Sequence, residues 1–372
     1  MAVDFLGRQI YLRSRSPATG KINTSGADAV PGPPLQPPEG DPGYWGSAEN
    51  GFHPYYHHGL PVSRKVEEVR RGQKYTAFTN RLGFRDQKVR GVDLKKTGRR
   101  IILIGDSNIL GVGLEWDQTL AGMLQKQFAN VEVLNAAVPS YCPTIEESKL
   151  RYLMGRHGLE ADAVVLFLDV ADVDDELQYG RRTDGSTFLI GPQFSEVPEN
   201  KNWADHMEKF LQNRLENNFT VVGAIVRNVR QWLRRHCAWF GVMAYEKGRW
   251  SEYRGHLDPL IDEGILRAAT SLTRLNEFLK SKNVQMVLVI SPGSSQMDLL
   301  DSKSRAIVIW EAWGRSNEVP VVSLFPLFYA HAKEYSNHIQ NSGHWNEKGH
   351  VLVAEELFQQ LPSRLPGLLA PP

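Results

Sequence analysis

The sequence predicts an α/β protein built on a parallel sheet with helices on both faces. Three observations carry that expectation. Five short apolar runs, rich in β-branched residues, read as strands buried on both sides. Segments with helical spacing alternate with them, the pattern of strand–helix–strand crossovers. And 372 residues at 41% hydrophobic composition are enough for one large domain, or one domain with a smaller appendage. No internal repeat divides the chain.

Residues 1–60 read as an irregular N-terminal arm. Pro31, Pro33, Pro34, Pro37, Pro38 and Pro42 remove backbone donors, and the glycines between them add chain entropy. A histidine-rich stretch follows, with Phe52, His53, Tyr55, Tyr56, His57 and His58. It invites a metal hypothesis, but no further ligands follow at suitable spacing, so a packing or turn role is expected. Residues 61–98 read as a small extended appendage. It has strands at Val66–Arg70 and Lys74–Phe78 and a turn across Asn80-Arg-Leu-Gly-Phe-Arg-Asp86, where Gly83 suits the bend.

The main domain is expected over 99–361, followed by a tail at 362–372. Its strands are the run Arg99–Asp106, then Val131–Leu134, Ala163–Leu168, Val284–Ile290 and Val321–Leu324. Helices are expected at 117–129, with Asp117 as N-cap, and at 144–157, 261–282, 301–316 and 347–361. A helical insertion spans about 174–256, with amphipathic patterns at 203–216 and 221–235 and the tryptophans Trp203, Trp232, Trp239 and Trp250. Loops at the carboxyl ends of strands line the crevice of an open α/β sheet. The insertion is thus placed to shape a pocket or lid, or to pack as a helical subdomain.

Lys+Arg number 43 against Asp+Glu 42, a net charge of +1, so no field of one sign points to nucleic acid. Arg227, Arg230, Arg234 and Arg235 read as a solvated helix face. Two cysteines, Cys142 and Cys237, make neither a disulfide framework nor a zinc site. No cofactor or metal is expected. No stretch of 18 apolar residues predicts a membrane span, and the start of the chain lacks a signal-peptide core. The compartment stays open.

The chemistry concentrates at two places. Gly105-Asp106-Ser107-Asn108 follows the first parallel strand and leads into a helix. A serine there is exposed at the sheet's crevice edge, and its N–H and those after it are free to meet an anion. A hydroxyl needs a base to take its proton. His344, in Asn341-Ser-Gly-His-Trp-Asn-Glu-Lys-Gly-His350, precedes the last helix and can reach the same edge, whereas His350 sits on the helix and caps or packs. A dinucleotide site is rejected, because Gly105–Gly113 lacks the required glycine order and no acidic residue closes a second strand.

Four ordered blocks resemble the SGNH/GDSL hydrolase superfamily over roughly residues 75–361. They are Gly105-Asp-Ser107, Asn135-Ala-Ala-Val-Pro-Ser140-Tyr141, the acidic turn after the third strand, and His344-Trp-Asn-Glu-Lys-Gly349. The upstream Asn80–Asp86 block resembles a lead-in of bacterial members that are often exported or membrane-tethered. The resemblance implies a flavodoxin-like three-layer α/β/α fold with a five-stranded parallel sheet. It also implies hydrolysis of acyl esters on glycans or lipids. Ser107 would be the nucleophile and His344 its base, with the N–H groups of Ser107 and Ser140 as oxyanion donors and Gly105, Asp106 and Asn108 around them. Three features depart from the family. Ser140 replaces the usual glycine. Ala171, in Leu168-Asp169-Val170-Ala171-Asp172, stands where an asparagine side chain would meet the oxyanion, a loss of ~10²–10³ in rate. Asn341 and Ser342 stand where the family has the aspartate that orients the histidine. Asp169 and Asp172 lie at the same rim, and Asp169 is placed to orient a substrate hydroxyl or a water.

Three functions follow from this reading. The first is an ester hydrolase acting on an acylated small molecule or glycan. The second is an O-acyltransferase, in which a sugar hydroxyl replaces water. The third is a glycan- or partner-binding protein on a decayed hydrolase, supported by Ala171 and Asn341.

Overall fold

The computed structural model describes residues 51–70, 73–190, 248–252, 259–293, 296–297, 300–334 and 344–369. The Pro-rich stretch, both amphipathic patterns of the insertion and Trp203, Trp232 and Trp239 lie outside the described residues.

A short hairpin opens the described chain, β1 (Phe52–His53) with β2 (His57–His58). Three antiparallel strands follow, β3 (Lys65–Arg70), β4 (Gln73–Thr79) and β5 (Arg85–Asp86). The parallel part begins with β6 (Arg99–Ile104), which leads through α1 (Ser107–Leu110) and α2 (Leu120–Gln127) to β7 (Val131–Asn135). Next come α3 (Pro143–Leu150), which runs on into a π-helical turn over Arg151–Arg156, and β8 (Ala163–Asp169). After α4 (Asp172–Glu176) stands a hairpin of β9 (Tyr179–Arg181) and β10 (Thr187–Leu189). The chain closes with α5 (Pro259–Ser281), β11 (Gln285–Ser291), α6 (Arg305–Asn317), β12 (Val321–Ser323), α7 (Phe325–Ala330) and α8 (Glu347–Arg364).

Eight strands form one sheet in the order β12-β11-β8-β6-β7-β5-β4-β3. The first five are mutually parallel, which makes the α/β class and the parallel five-strand core plain. Residues 61–98, expected as an appendage, extend that sheet instead. Strand β5 pairs antiparallel with β7 through Arg85 and Asn135, and β4 and β3 continue outward. Along Lys65–Arg70 exposure alternates, with Val66 and Glu68 half-buried and Glu67 and Val69 exposed, as in an outer strand with one wet face.

Right-handed crossovers place the helices. The step from β6 to β7 moves one way along the sheet, and the step from β7 to β8 moves back across β6. Helices α2 and α3 therefore lie on opposite faces. Helix α5 joins α3, and α8 packs on α2. Between β6 and β8 the outgoing connections diverge, the switch point at which open α/β sheets bind ligands. Ile102, Leu103, Ile104, Val164, Val165, Leu166, Val287, Leu288 and Val289 are fully buried, so the central strands carry the core.

The expected helix at 117–129 is divided. A 3₁₀ turn, Trp116–Gln118, closes first through a capping box between Glu115 and Gln118. Thr119, not Asp117, then caps α2 by accepting the Gly122 N–H at 3.2 Å. Gly122 permits this, because a Cβ there would stand 2.1 Å from the Trp116 carbonyl oxygen.

Candidate active site

Strand β6 ends at Gly105, where a side chain would collide with Ile109 Cγ1 at 2.9 Å and Phe167 Cβ at 3.0 Å. The chain then turns sharply into α1. Asp106 is its N-cap, its carboxylate accepting the Asn108 N–H at 2.9 Å, and Gly111 closes it at φ 75°. From β5 the buried Arg85 donates to the carbonyls of Leu110 at 3.0 Å, Gly111 at 2.5 Å and Leu114. Burial lowers the Arg85 pKa to about 10, so a cation still meets the helix's orphan carbonyls at neutral pH. Ser107 thus opens a short helix fastened at both ends.

His344 arrives from the loop before α8. The Trp345 N–H donates to Asn108 Oδ1 at 3.1 Å, so the residue after the serine grips the residue after the histidine. His344 Nε2 stands 2.8 Å from Ser107 Oγ. Asp106 Oδ2 is 3.5 Å from the same hydroxyl, too long to compete. This is the geometry of a nucleophile and its general base. His350 packs as expected, its Nδ1 accepting the Leu120 N–H at 3.0 Å. Asn341 and Ser342 lie outside the described residues.

The loop after β7 lies beside the serine. Asn135 fastens it, its amide donating to the Ile109 carbonyl at 2.9 Å and its Oδ1 accepting the Ala137 N–H at 3.1 Å. The Val138 N–H reaches the Gly105 carbonyl at 3.1 Å. Ser140 is exposed and left-handed at φ 61°, and its N–H has no partner among the described residues. An L side chain in this region costs about 1–2 kcal/mol, partly offset by glycine's greater freedom in the unfolded chain. Ser140→Gly is therefore expected to raise stability by about 0.5–1 kcal/mol, measured as a higher denaturation midpoint, with turnover retained.

After β8 the third block folds on itself. Asp169 Oδ1 accepts the Ala171 N–H at 2.8 Å, and its Oδ2 accepts the Ser291 hydroxyl at 3.2 Å. Both oxygens are thus engaged in holding the turn. The buried Asp172 accepts the Asp169 N–H at 2.7 Å. Ala171 precedes α4 at φ −75°, ψ −19° and offers only a methyl group. The returning end of the insertion docks here: Trp250 Nε1 donates to the Val170 carbonyl at 2.6 Å, and the Gly248 N–H to Asp174 at 2.7 Å. With its indole buried, Trp250 braces this turn.

Behind the rim, beside Asp172, lie Glu146 and Glu176, two acids that the sequence reading passed over. Burial, with Glu176 and Asp106 nearby, pushes the Glu146 carboxyl well above its usual range, and neither of its oxygens has a hydrogen-bond partner among the described residues. Burial also raises Glu176 to about 7, against the opposing bonds from Thr144. Burial raises Asp172 too, with Asp106 and Asp169 adding to the effect. Each group holds its proton more tightly folded than unfolded. Their contribution to stability is full below the unfolded carboxyl values and is lost as pH climbs through the folded ones. For Glu176 that is near 7. Glu146→Gln removes one such group. It is expected to stabilise the protein at about pH 8 by at least ~1 kcal/mol, with the gain shrinking toward about pH 5. Denaturant melts at the two pH values check it.

Sequence reasoning missed Arg85, Asn135 as the tie to α1, and His58. The Asn80–Asp86 motif was the available signal for Arg85. The histidine-rich stretch packs, as expected: His53 Nδ1 accepts the Tyr55 N–H at 3.1 Å and its ring stacks on Tyr56. An open cavity of about 560 Å³ lined by Glu311, Gly314, Arg315 and Val321 lies at the opposite end of the strands from Ser107 and holds no nucleophile. Among the described residues no helix is long and apolar enough to cross a membrane.

No protein-family model and no curated protein sequence matches the chain. Three solved structures to which it is similar are a psychrotrophic esterase from Pseudoalteromonas sp., a member of the lipolytic G-D-S-L family from Veillonella parvula, and a catalytic mutant of an acetylxylan esterase from Geobacillus stearothermophilus. The first is 12% identical with a TM-score of 0.37, over 71% of this chain and 97% of that one. The second is 13% identical with a TM-score of 0.35, over 70% and 97%. The third is 10% identical with a TM-score of 0.38, over 75% and 100%. At such values the chemistry has to be read from the side chains alone.

Proposed function

We propose that this chain is a serine ester hydrolase of the SGNH/GDSL type, acting on an acyl ester of a small molecule or glycan. The observation that carries the proposal is the 2.8 Å contact between Ser107 Oγ and His344 Nε2 at the switch point of the sheet. His344 accepts the hydroxyl proton as Ser107 Oγ bonds to the ester carbonyl carbon. The negative charge that develops on the carbonyl oxygen meets the N–H groups of Ser107 and Ser140. The intermediate collapses, His344 returns its proton to the departing alcohol, and an acyl-serine remains. Water then attacks with His344 again as base, the carboxylic acid leaves, and Ser107 is regenerated. Asn341, beside the histidine in sequence, is proposed to orient its ring.

Two outcomes separate this from its rivals. A fluorophosphonate probe should label Ser107 in the full chain, and p-nitrophenyl acetate should yield free acetate. Acetyl transfer to an added sugar in preference to water would identify a transferase. An unlabelled Ser107 would identify a binding protein on the same scaffold.

A further inference from the structure

The loop that presents Ser140 is gripped from behind by the N-terminal hairpin. His58 Nε2 stands 2.9 Å from the Pro139 carbonyl oxygen. Tyr141 donates its hydroxyl to the His58 carbonyl at 2.6 Å, and the buried Lys149 donates to the Ala136 carbonyl at 2.8 Å. A carbonyl only accepts, so Nε2 carries the proton. The ring is neutral, because burial lowers its pKa to about 4, with His57 and Lys149 opposing further protonation. A neutral imidazole has one N–H. The other nitrogen therefore accepts, and His57 Nδ1, 2.8 Å from His58 Nδ1, is its donor.

The backbone gives this bond a task. No peptide bond here is cis, and in a trans peptide the C=O and N–H point in opposite directions. Holding the Pro139 oxygen toward His58 turns the Ser140 N–H away from it. That orientation is the costlier one, because Ser140 is left-handed at φ 61°. A flip of the Pro139–Ser140 peptide would return Ser140 to a negative φ, where an L residue is more stable. It would also reverse the N–H. We propose that His58 is a positioning residue that prevents this flip and so keeps the Ser140 N–H in place as an oxyanion donor, with His57 fixing its tautomer. The proposal rests on the hydrolase reading above.

The test uses the full chain and p-nitrophenyl acetate. His58→Phe keeps the ring's bulk against Tyr141 and removes the donor. Its kcat should fall by about 10–10²-fold with KM little changed. His58→Gln, which can still donate, should stay near wild type. In the double variant His58→Phe, Ser140→Gly, glycine bears the left-handed conformation without penalty, so most of the loss should return. A purely structural role for His58 would lower the melting midpoint without this rescue of kcat. In ¹⁵N spectra of the wild type, His58 should carry its proton on Nε2. Wild-type turnover in His58→Phe, a double variant no faster than His58→Phe, or an Nδ1–H tautomer each overturns the proposal. A wild-type Ser107 that no fluorophosphonate labels overturns the hydrolase reading and this inference together.

Discussion

Ser107→Ala is expected to reduce ester hydrolysis by about 10⁴–10⁶-fold while leaving the fold intact. The hydroxyl contributes one hydrogen bond, to His344 at 2.8 Å, and it faces a partly open rim, so its loss creates no core cavity. His344→Ala should cost nearly as much, and the double variant little more than either alone, because nucleophile and base act as a unit. Turnover of p-nitrophenyl acetate by purified variants with unchanged melting midpoints provides the measurement. A Ser107→Ala protein that retains a tenth of wild-type activity would place the chemistry elsewhere and end the assignment.

Ala171→Asn is expected to make the enzyme faster. In the proposed mechanism the oxyanion is served by backbone donors from Ser107 and Ser140, and the methyl group of Ala171 adds nothing. The backbone at 171 is ordinary right-handed helical and the residue is half-buried, so the backbone accepts an asparagine without strain. Removing such a donor typically costs ~10²–10³. Adding one to a site that has not been shaped around it should return less, about 10–10²-fold in kcat. The Ser107→Ala, Ala171→Asn double variant should stay inactive, which ties the gain to the same serine. An unchanged or lower kcat in a stable single variant would mean that the side chain at 171 does not face the developing charge.

These expectations separate what a chain pattern encodes from what its packing adds. The five central strands were legible because strands buried on both faces are nearly continuous apolar runs, a signal confined to each segment. The serine and the histidine were legible because one ends a strand and the other precedes a helix, and such boundaries have local composition. The edge strands were visible only as extended pieces. Their attachment to β7 runs through a single pairing of Arg85 with Asn135, which no periodicity records.

The sequence alone determined the class of fold, the candidate serine and histidine, and the absence of an amide at 171, since each is written in residue identity and local order. Tertiary structure decided that residues 237 positions apart stand 2.8 Å from each other. It also decided that Arg85 fastens the serine's helix and that His58 reaches the Pro139 carbonyl 81 positions away. The reason is physical: hydrogen bonds closed across a sheet depend on where crossovers return the chain, and that is a property of the whole core rather than of any window along it.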